Sequence, residues 1–335
     1  MKRAIYLFVF LLLRQTASAQ NEEAKRDLDF LKGTKDWFAA WQLISSEVFK
    51  INTVKPVQFV FFDDQYVYST STITIPKGLA VKGNNLMNLR LTWKKSLHHD
   101  TLTLPDQTKV PVGLMSFASE VNGNAFFVMP LLSFWQHAGV KSIELGTEKL
   151  VTGVFLHEFS HSQQMENFGK KISSYEKTTR FEAPFSDDIV QHLFGKNDAY
   201  VNLYKQEVSS LYSSVKDEKL DRVLVNKALK AMQNRQQTYF KNKFIALTEI
   251  DRFFLTMEGL GQYTMYLWLI HPKGGNITIP NAIAGVRRGS KWWSQDEGFG
   301  LFLVLERLTV PSKWAKGLFG DRTEDIVSLI KRFGK

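Results

Sequence analysis

Two histidines four residues apart, with a glutamate directly after the first, stand in the run Val154-Phe155-Leu156-His157-Glu158-Phe159-Ser160-His161-Ser162-Gln163. No Pro or Gly falls in residues 154–167, and Leu150, Val154, Phe155 and Phe159 recur at helical spacing, so a helix with one apolar stripe is predicted. On it His157 and His161 lie one turn apart, about 6 Å of rise, on the same face. Imidazoles so placed can reach one Zn²⁺. Glu158 sits one residue round, able to touch a water on such an ion without ligating it, which is where a general base is needed. The competing reading, histidines that are merely surface or core residues, is disfavoured by the rarity of His-Glu-x-x-His and by its apolar flanks.

The 335 residues include no cysteine, so disulfides and thiolate ligands are excluded and a metal site must use His, Asp and Glu. Catalytic zinc usually takes a third protein ligand. The most informative downstream run is Glu258-Gly259-Leu260-Gly261-Gln262-Tyr263, inside the apolar stretch 248–270. A carboxylate buried there is costly unless paired or bound to metal. Each glycine weakens a helix by about 1 kcal/mol, so their presence implies close packing, expected against the motif helix.

His157-Glu158-Phe159-Ser160-His161 followed by Glu258-Gly259-Leu260-Gly261-Gln262-Tyr263 resembles the gluzincin class of zinc metallopeptidases, which pairs His-Glu-x-x-His with a Glu-Gly-x-Ala-x-Tyr helix. The resemblance implies zinc held by His157, His161 and Glu258, with Glu158 as base. It also implies that residues 125–129 form an edge strand along which an extended peptide lies. Gly261 departs from the pattern's Ala and Gln163 from an apolar residue, and the long gap to Glu258 requires a looped-out helical insertion over about residues 187–245. Two rivals for the third ligand stay open: Glu182, near the spacing of compact thermolysin-like enzymes but beside Pro184, and Glu297, in the similar run Glu297-Gly298-Phe299-Gly300.

Other residues have plainer readings beside functional ones. Tyr263 could stabilise an oxyanion across the cleft, or pack in the core. His98-His99-Asp100 is a polar turn or a second metal site; His137 and His192 lack partners at ligand spacing. Arg287-Arg288 and Trp292-Trp293 could shape a subsite, though packing and solvated charge explain them as well.

The positioning elements follow from texture. Residues 1–19 combine Lys2-Arg3, an apolar run over 4–13 and Ala17-Ser18-Ala19, the pattern of a cleaved secretory signal and too short to span a bilayer. Residues 20–52 predict one or two helices broken near Gly33. Residues 53–140 carry short apolar or β-branched runs, including 57–62, 71–75, 89–93 and 124–135; residues 141–335 are mainly helical. The expected fold is α+β and zincin-like: a β-rich N-terminal part with an edge strand, then a helical catalytic part. The net charge of +10 includes Lys2, Arg3 and Arg14, whose removal leaves +7. No dense Lys/Arg cluster accompanies it, so nucleic acid is not an expected partner, nor is stable membrane insertion after signal cleavage. The expectation is a periplasmic or secreted metallopeptidase acting on peptide or protein substrates. The alternatives are a zinc hydrolase of non-peptide amides or esters, and a non-catalytic binding protein with a vestigial site.

Overall fold

A computed structural model describes residues 2–287 and 291–335, with side chains from Glu22 onward. The signal reading of residues 1–19 therefore concerns side chains outside the described ones. The chain opens with α1 (Lys2–Leu43), which passes into a π-helical turn over Ile44–Phe49. The break expected near Gly33 does not occur. Phe30, Trp37, Phe38 and Trp41 on one face of α1 are buried, and that burial outweighs the glycine's helix penalty of about 1 kcal/mol.

The strands follow: β1 (Val57–Phe62), β2 (Tyr66–Ser69), β3 (Leu79–Val81), β4 (Trp93–Leu97), β5 (Thr101–Thr103), β6 (Lys109–Pro111), β7 (Phe117–Val121) and β8 (Asn124–Pro130). Six form one sheet in the order β3-β4-β2-β1-β8-β7, and β5 and β6 form a hairpin. β1 and β8 pair in parallel at its centre, Val57 beside Ala125 through Phe62 beside Pro130. Phe59, Phe61, Phe127 and Met129 face the main core, while Val60, Phe62, Phe126 and Val128 face Leu102 and Leu104 around the hairpin. Strands buried on both faces read as continuous apolar runs.

Three strand expectations need correction. β8 is not an edge, since it lies between β1 and β7; the edge beside it is β7. Residues 71–75 form a turn, because the Ser71 hydroxyl accepts the backbone N–H groups of Ile73 (3.3 Å) and Thr74 (3.4 Å), the local bonding by which serine competes with a ladder. Of residues 89–93 only Trp93 enters a strand; Asn85 Oδ1 takes the Leu91 N–H at 2.9 Å instead.

The helical part comprises α2 (Leu132–His137), α3 (Thr147–Ser162), α4 (Lys170–Thr178), α5 (Ile189–Phe194), α6 (Asp198–Ser214), α7 (Arg222–Tyr239), α8 (Leu247–Ile270), α9 (Ile279–Arg287), α10 (Trp293–Leu308), α11 (Ala315–Leu318) and α12 (Ile326–Phe333). The looped-out insertion is helical as expected, carrying α5, α6 and α7. α3 packs on the sheet through Phe155 and Phe159, whose rings stack at 5.4 Å. α8 packs between α3 and α10. One apolar core runs from α1 through β1, β8, α3, α8 and α10 to α12, so the boundaries at 52/53 and 140/141 mark changes of sequence texture within a shared core. The overall architecture is mixed α/β, with the sheet as a platform beneath the motif helix.

α8 and α10 touch backbone to backbone. A Cβ at Gly259 would lie 2.5 Å from the Gly298 carbonyl carbon, and one at Gly298 would lie 2.3 Å from the Leu255 oxygen. Gly298→Ala should therefore destabilise the protein by about 1–3 kcal/mol through overpacking, although alanine alone favours a helix by about 1 kcal/mol. Urea unfolding decides the sign; a stabilised variant would refute the contact.

Candidate metal centre

α3 is amphipathic in an unusual sense, with an aromatic face on the sheet and an imidazole face on α8. His157 and His161 are 5% and 6% exposed, their Nε2 atoms 3.0 Å apart. Glu258 of α8, 7% exposed, places Oε2 3.2 Å from His157 Nε2 and Oε1 3.2 Å from His161 Nε2. Glu158 is half-buried, and one of its oxygens lies within 4.8 Å of a nitrogen on each histidine. A buried His-Glu-x-x-His group that could hold a metal ion is thus in place. The structure brings Glu258 to it across 101 residues of sequence.

The approach depends on Gly261. A Cβ there would lie 2.7 Å from His157 Nδ1 and 2.9 Å from its Cγ and Cε1. Glycine at position 261 is what this ring position requires. Gln163, the other departure, is buried and accepts the Lys55 backbone N–H at 2.8 Å through Oε1, tying the end of α3 to the lead into β1.

Sequence reasoning missed the residues that surround the carboxylate. Gln295 of α10 donates from Nε2 to Glu258 Oε2 at 3.3 Å, and its Oε1 accepts from Gln262 Nε2 at 2.6 Å. Gln262 stood in the quoted run without a role; Gln295 carried no signal beyond lying two residues before Glu297. Asp187 and Asp188, in the segment before α5, share the same electrostatic environment. Burial, then the Glu258 charge, pushes Asp187 up to about 7 and Asp188 up to about 6. The adjacent acids ahead of the apolar pair Ile189-Val190 were the available clue.

The cluster is strongly polarised. Burial disfavours a charge on His161, but the Glu258 carboxylate outweighs it and raises the imidazole to about 9. Burial likewise opposes ionisation of Glu258, yet His161 and His157 hold it well below the usual carboxylate range.

The rivals have other partners. Glu297 is buried in an ion cluster, 2.8 Å from Arg235 Nη2, with Glu207 2.8 Å from Arg235 Nε. Glu182 is exposed and pairs with Lys243 at 2.6 Å. Tyr263 is fully buried, its ring 5.5 Å from Phe302 and 6.0 Å from Trp314. Burial, then the nearby Glu306 carboxylate, keeps its phenol protonated. That surrounding is hydrophobic core, so the expected oxyanion role gives way to packing. His98 Nε2 bonds the Asp63 carbonyl at 2.9 Å, while His99 and Asp100 are exposed. His137 pairs with Asp64, and His192 is exposed. Arg287 grips Asp296 through Nε and Nη2 at 2.7 and 3.1 Å, and Trp293 stacks on Tyr204 at 4.4 Å. Trp292 is 41% exposed, and Arg288 lies outside the described residues.

Two outcomes follow. Gly261→Ala should leave the fold intact yet cut metal affinity by about 10–100-fold, the scale on which disturbed ligand orientation is felt; metal titration monitored beside circular dichroism measures it. In metal-free protein the raised His161 contributes stability that is fully present below its ordinary value of 6.5 and is lost as pH rises through about 9. Glu258, being lowered, contributes above the ordinary carboxylate range and loses its contribution only in strong acid. Urea unfolding with chelator should therefore weaken from pH 6.5 to 9, and a flat profile would contradict the pairing.

No known protein family, curated protein or solved structure matches the chain.

Proposed function

We propose that the chain is an exported zinc-dependent peptidase, with His157, His161 and Glu258 as protein ligands and Glu158 as general base. One observation carries the reading: two imidazole nitrogens and a carboxylate meet at 3.0–3.2 Å in a buried helix crossing. Donor atoms about 2.0–2.1 Å from a tetrahedral zinc ion stand about 3.3–3.4 Å from one another, so these separations, with each imidazole facing its own Glu258 oxygen, suit zinc after a small outward shift. A donor set of two imidazoles and one carboxylate suits zinc and leaves a fourth position open.

When bound, the ion would bring the pKa of a water towards neutrality and polarise the carbonyl under attack. Glu158 accepts the proton as the water oxygen bonds to the carbonyl carbon. It returns that proton to the amide nitrogen as the C–N bond breaks, so charge and atoms balance and the base is regenerated. Gln295 donates to Glu258 and orients that carboxylate. The edge strand β7 packs beside α3 and is half-exposed throughout. An extended peptide can add to such an edge through its main chain, which favours peptides over small esters. Export is proposed on the signal-like pattern of residues 1–19; among the described residues no helix is long and apolar enough to cross a membrane.

Glu158→Gln should retain zinc and fold while turnover of an unfolded protein substrate falls by about 10²–10⁴-fold. Activity within a few-fold of wild type would sink the mechanism; hydrolysis of esters alone would redirect the substrate reading. Glu258→Ala should lose zinc while remaining folded. Glu297→Ala should instead cost about 3–5 kcal/mol by leaving Arg235 under-compensated, with zinc retained per folded molecule. Metal analysis beside denaturant unfolding separates the two glutamates.

A further inference from the structure

We infer that the chain carries a second ligand site, for a phosphate-bearing anion, in the groove where the end of α3 meets α11. This groove encloses about 890 Å³ and includes none of His157, Glu158, His161 or Glu258. Its volume is that of a pocket for a small organic ligand, about 300–1,000 Å³.

Charge selects the ligand class. Lys170, Lys313, Lys316 and Arg322 line the groove, are exposed and form no ion pair among the described residues. Lys55, the fifth cation there, is 3.4 Å from Glu166 and donates to the Gly320 carbonyl at 3.0 Å. Asp321 is the one lining acid besides Glu166, so positive charge remains in excess. Compact ammonium groups with one guanidinium fork suit a tetrahedral oxyanion carrying more than one charge. A metal cation or a peptide amine would be repelled.

The groove is also built rather than merely basic. Its wall includes Trp41 and Phe319, packed edge to face at 5.7 Å. Trp41 is 2% exposed and its buried indole N–H has no acceptor among the described residues, whereas such groups usually find one. Asn167 Nδ2 donates to the carbonyls of Leu318 (2.8 Å) and Arg322 (3.0 Å), fixing the loop that presents Arg322. A nucleic-acid strand would need a basic track continuing past the groove, and the sequence has no dense cluster to supply one.

The test is calorimetric titration of the full mature protein with inorganic pyrophosphate at physiological ionic strength. Wild type should bind saturably, and the double variant K313E/K316E should bind about tenfold more weakly or worse. The control K227E/K230E changes net charge equally on the exposed face of α7 and should stay within about twofold, since screening removes distant charge. If K313E/K316E misfolds by circular dichroism, K170E/R322E carries the same charge-matched comparison. Absence of saturable binding, or equal weakening in groove and control variants, overturns the site. A parallel arm uses phosphatidylglycerol and phosphatidylcholine vesicles: retention on the former alone, lost in K313E/K316E, places the phosphate on a lipid headgroup, and pyrophosphate binding without retention places it on a soluble ligand.

Discussion

A carboxylate of one helix lying 3.2 Å from two imidazoles of another is the contact to which the rest of the architecture answers. It requires α8 to approach α3 more closely than ordinary side chains permit. Gly261 makes room for the His157 ring, and at Gly153 a Cβ would lie 2.6 Å from Met265. α8 can hold that position only if it is backed from behind, and the Gly259–Gly298 contact brings α10 against it. α10 then supplies Gln295, whose amide reaches the same carboxylate. Glycine, usually a weakness in a helix, serves here to let two helix axes converge at a polar centre.

The opposite face of α3 explains how such a centre stays fixed. Phe155 and Phe159 lie against Phe127 of the sheet, and Trp37 and Trp41 of α1 close around them. Aromatic rings in close packing resist displacement because any shift forfeits many contacts together. The sheet therefore acts as an anvil: β1 and β8, buried on both sides, are the rigid layer on which the histidine helix rests. On the far face the Glu258 carboxylate is compensated by both imidazoles and the Gln295 amide, the condition under which its desolvation is tolerated.

Much of this was legible because it is written in local pattern. His157, Glu158 and His161 are spaced for one helix face, and the runs at 57–62 and 124–135 announce strands, the second of which ends at Pro130 before α2. The misreadings fall where long-range or side-chain contacts overrule pattern. Ser71 diverts its own backbone into a turn that no count of β-branched residues reveals. Which strand is the edge depends on β7 pairing outside β8, and that is topology rather than composition. α1 runs unbroken through Gly33 because its partners across the sheet hold it. Tyr263 followed the family-like spacing, yet the rotation of α8 turns it into the core.

Glu258 and Glu297 show why the site itself was only partly readable. Each precedes a glycine in an apolar helix, and those glycines, Gly259 and Gly298, face one another at a single crossing. The shared pattern is therefore first a packing device, serving both helices alike. What each carboxylate does is decided by what lies beyond the crossing. Glu258 meets two imidazoles, whereas Glu297 meets Arg235, brought in by the hairpin of α6 and α7. Burial compels both acids to find a positive or electron-accepting partner, but it does not specify which. The insertion supplies Arg235 to Glu297 and so compensates that acid within the protein. Glu258 instead faces two imidazoles and the Gln295 amide; imidazoles can yield their protons to a metal ion, and this difference in partner makes one acid structural and the other a candidate ligand.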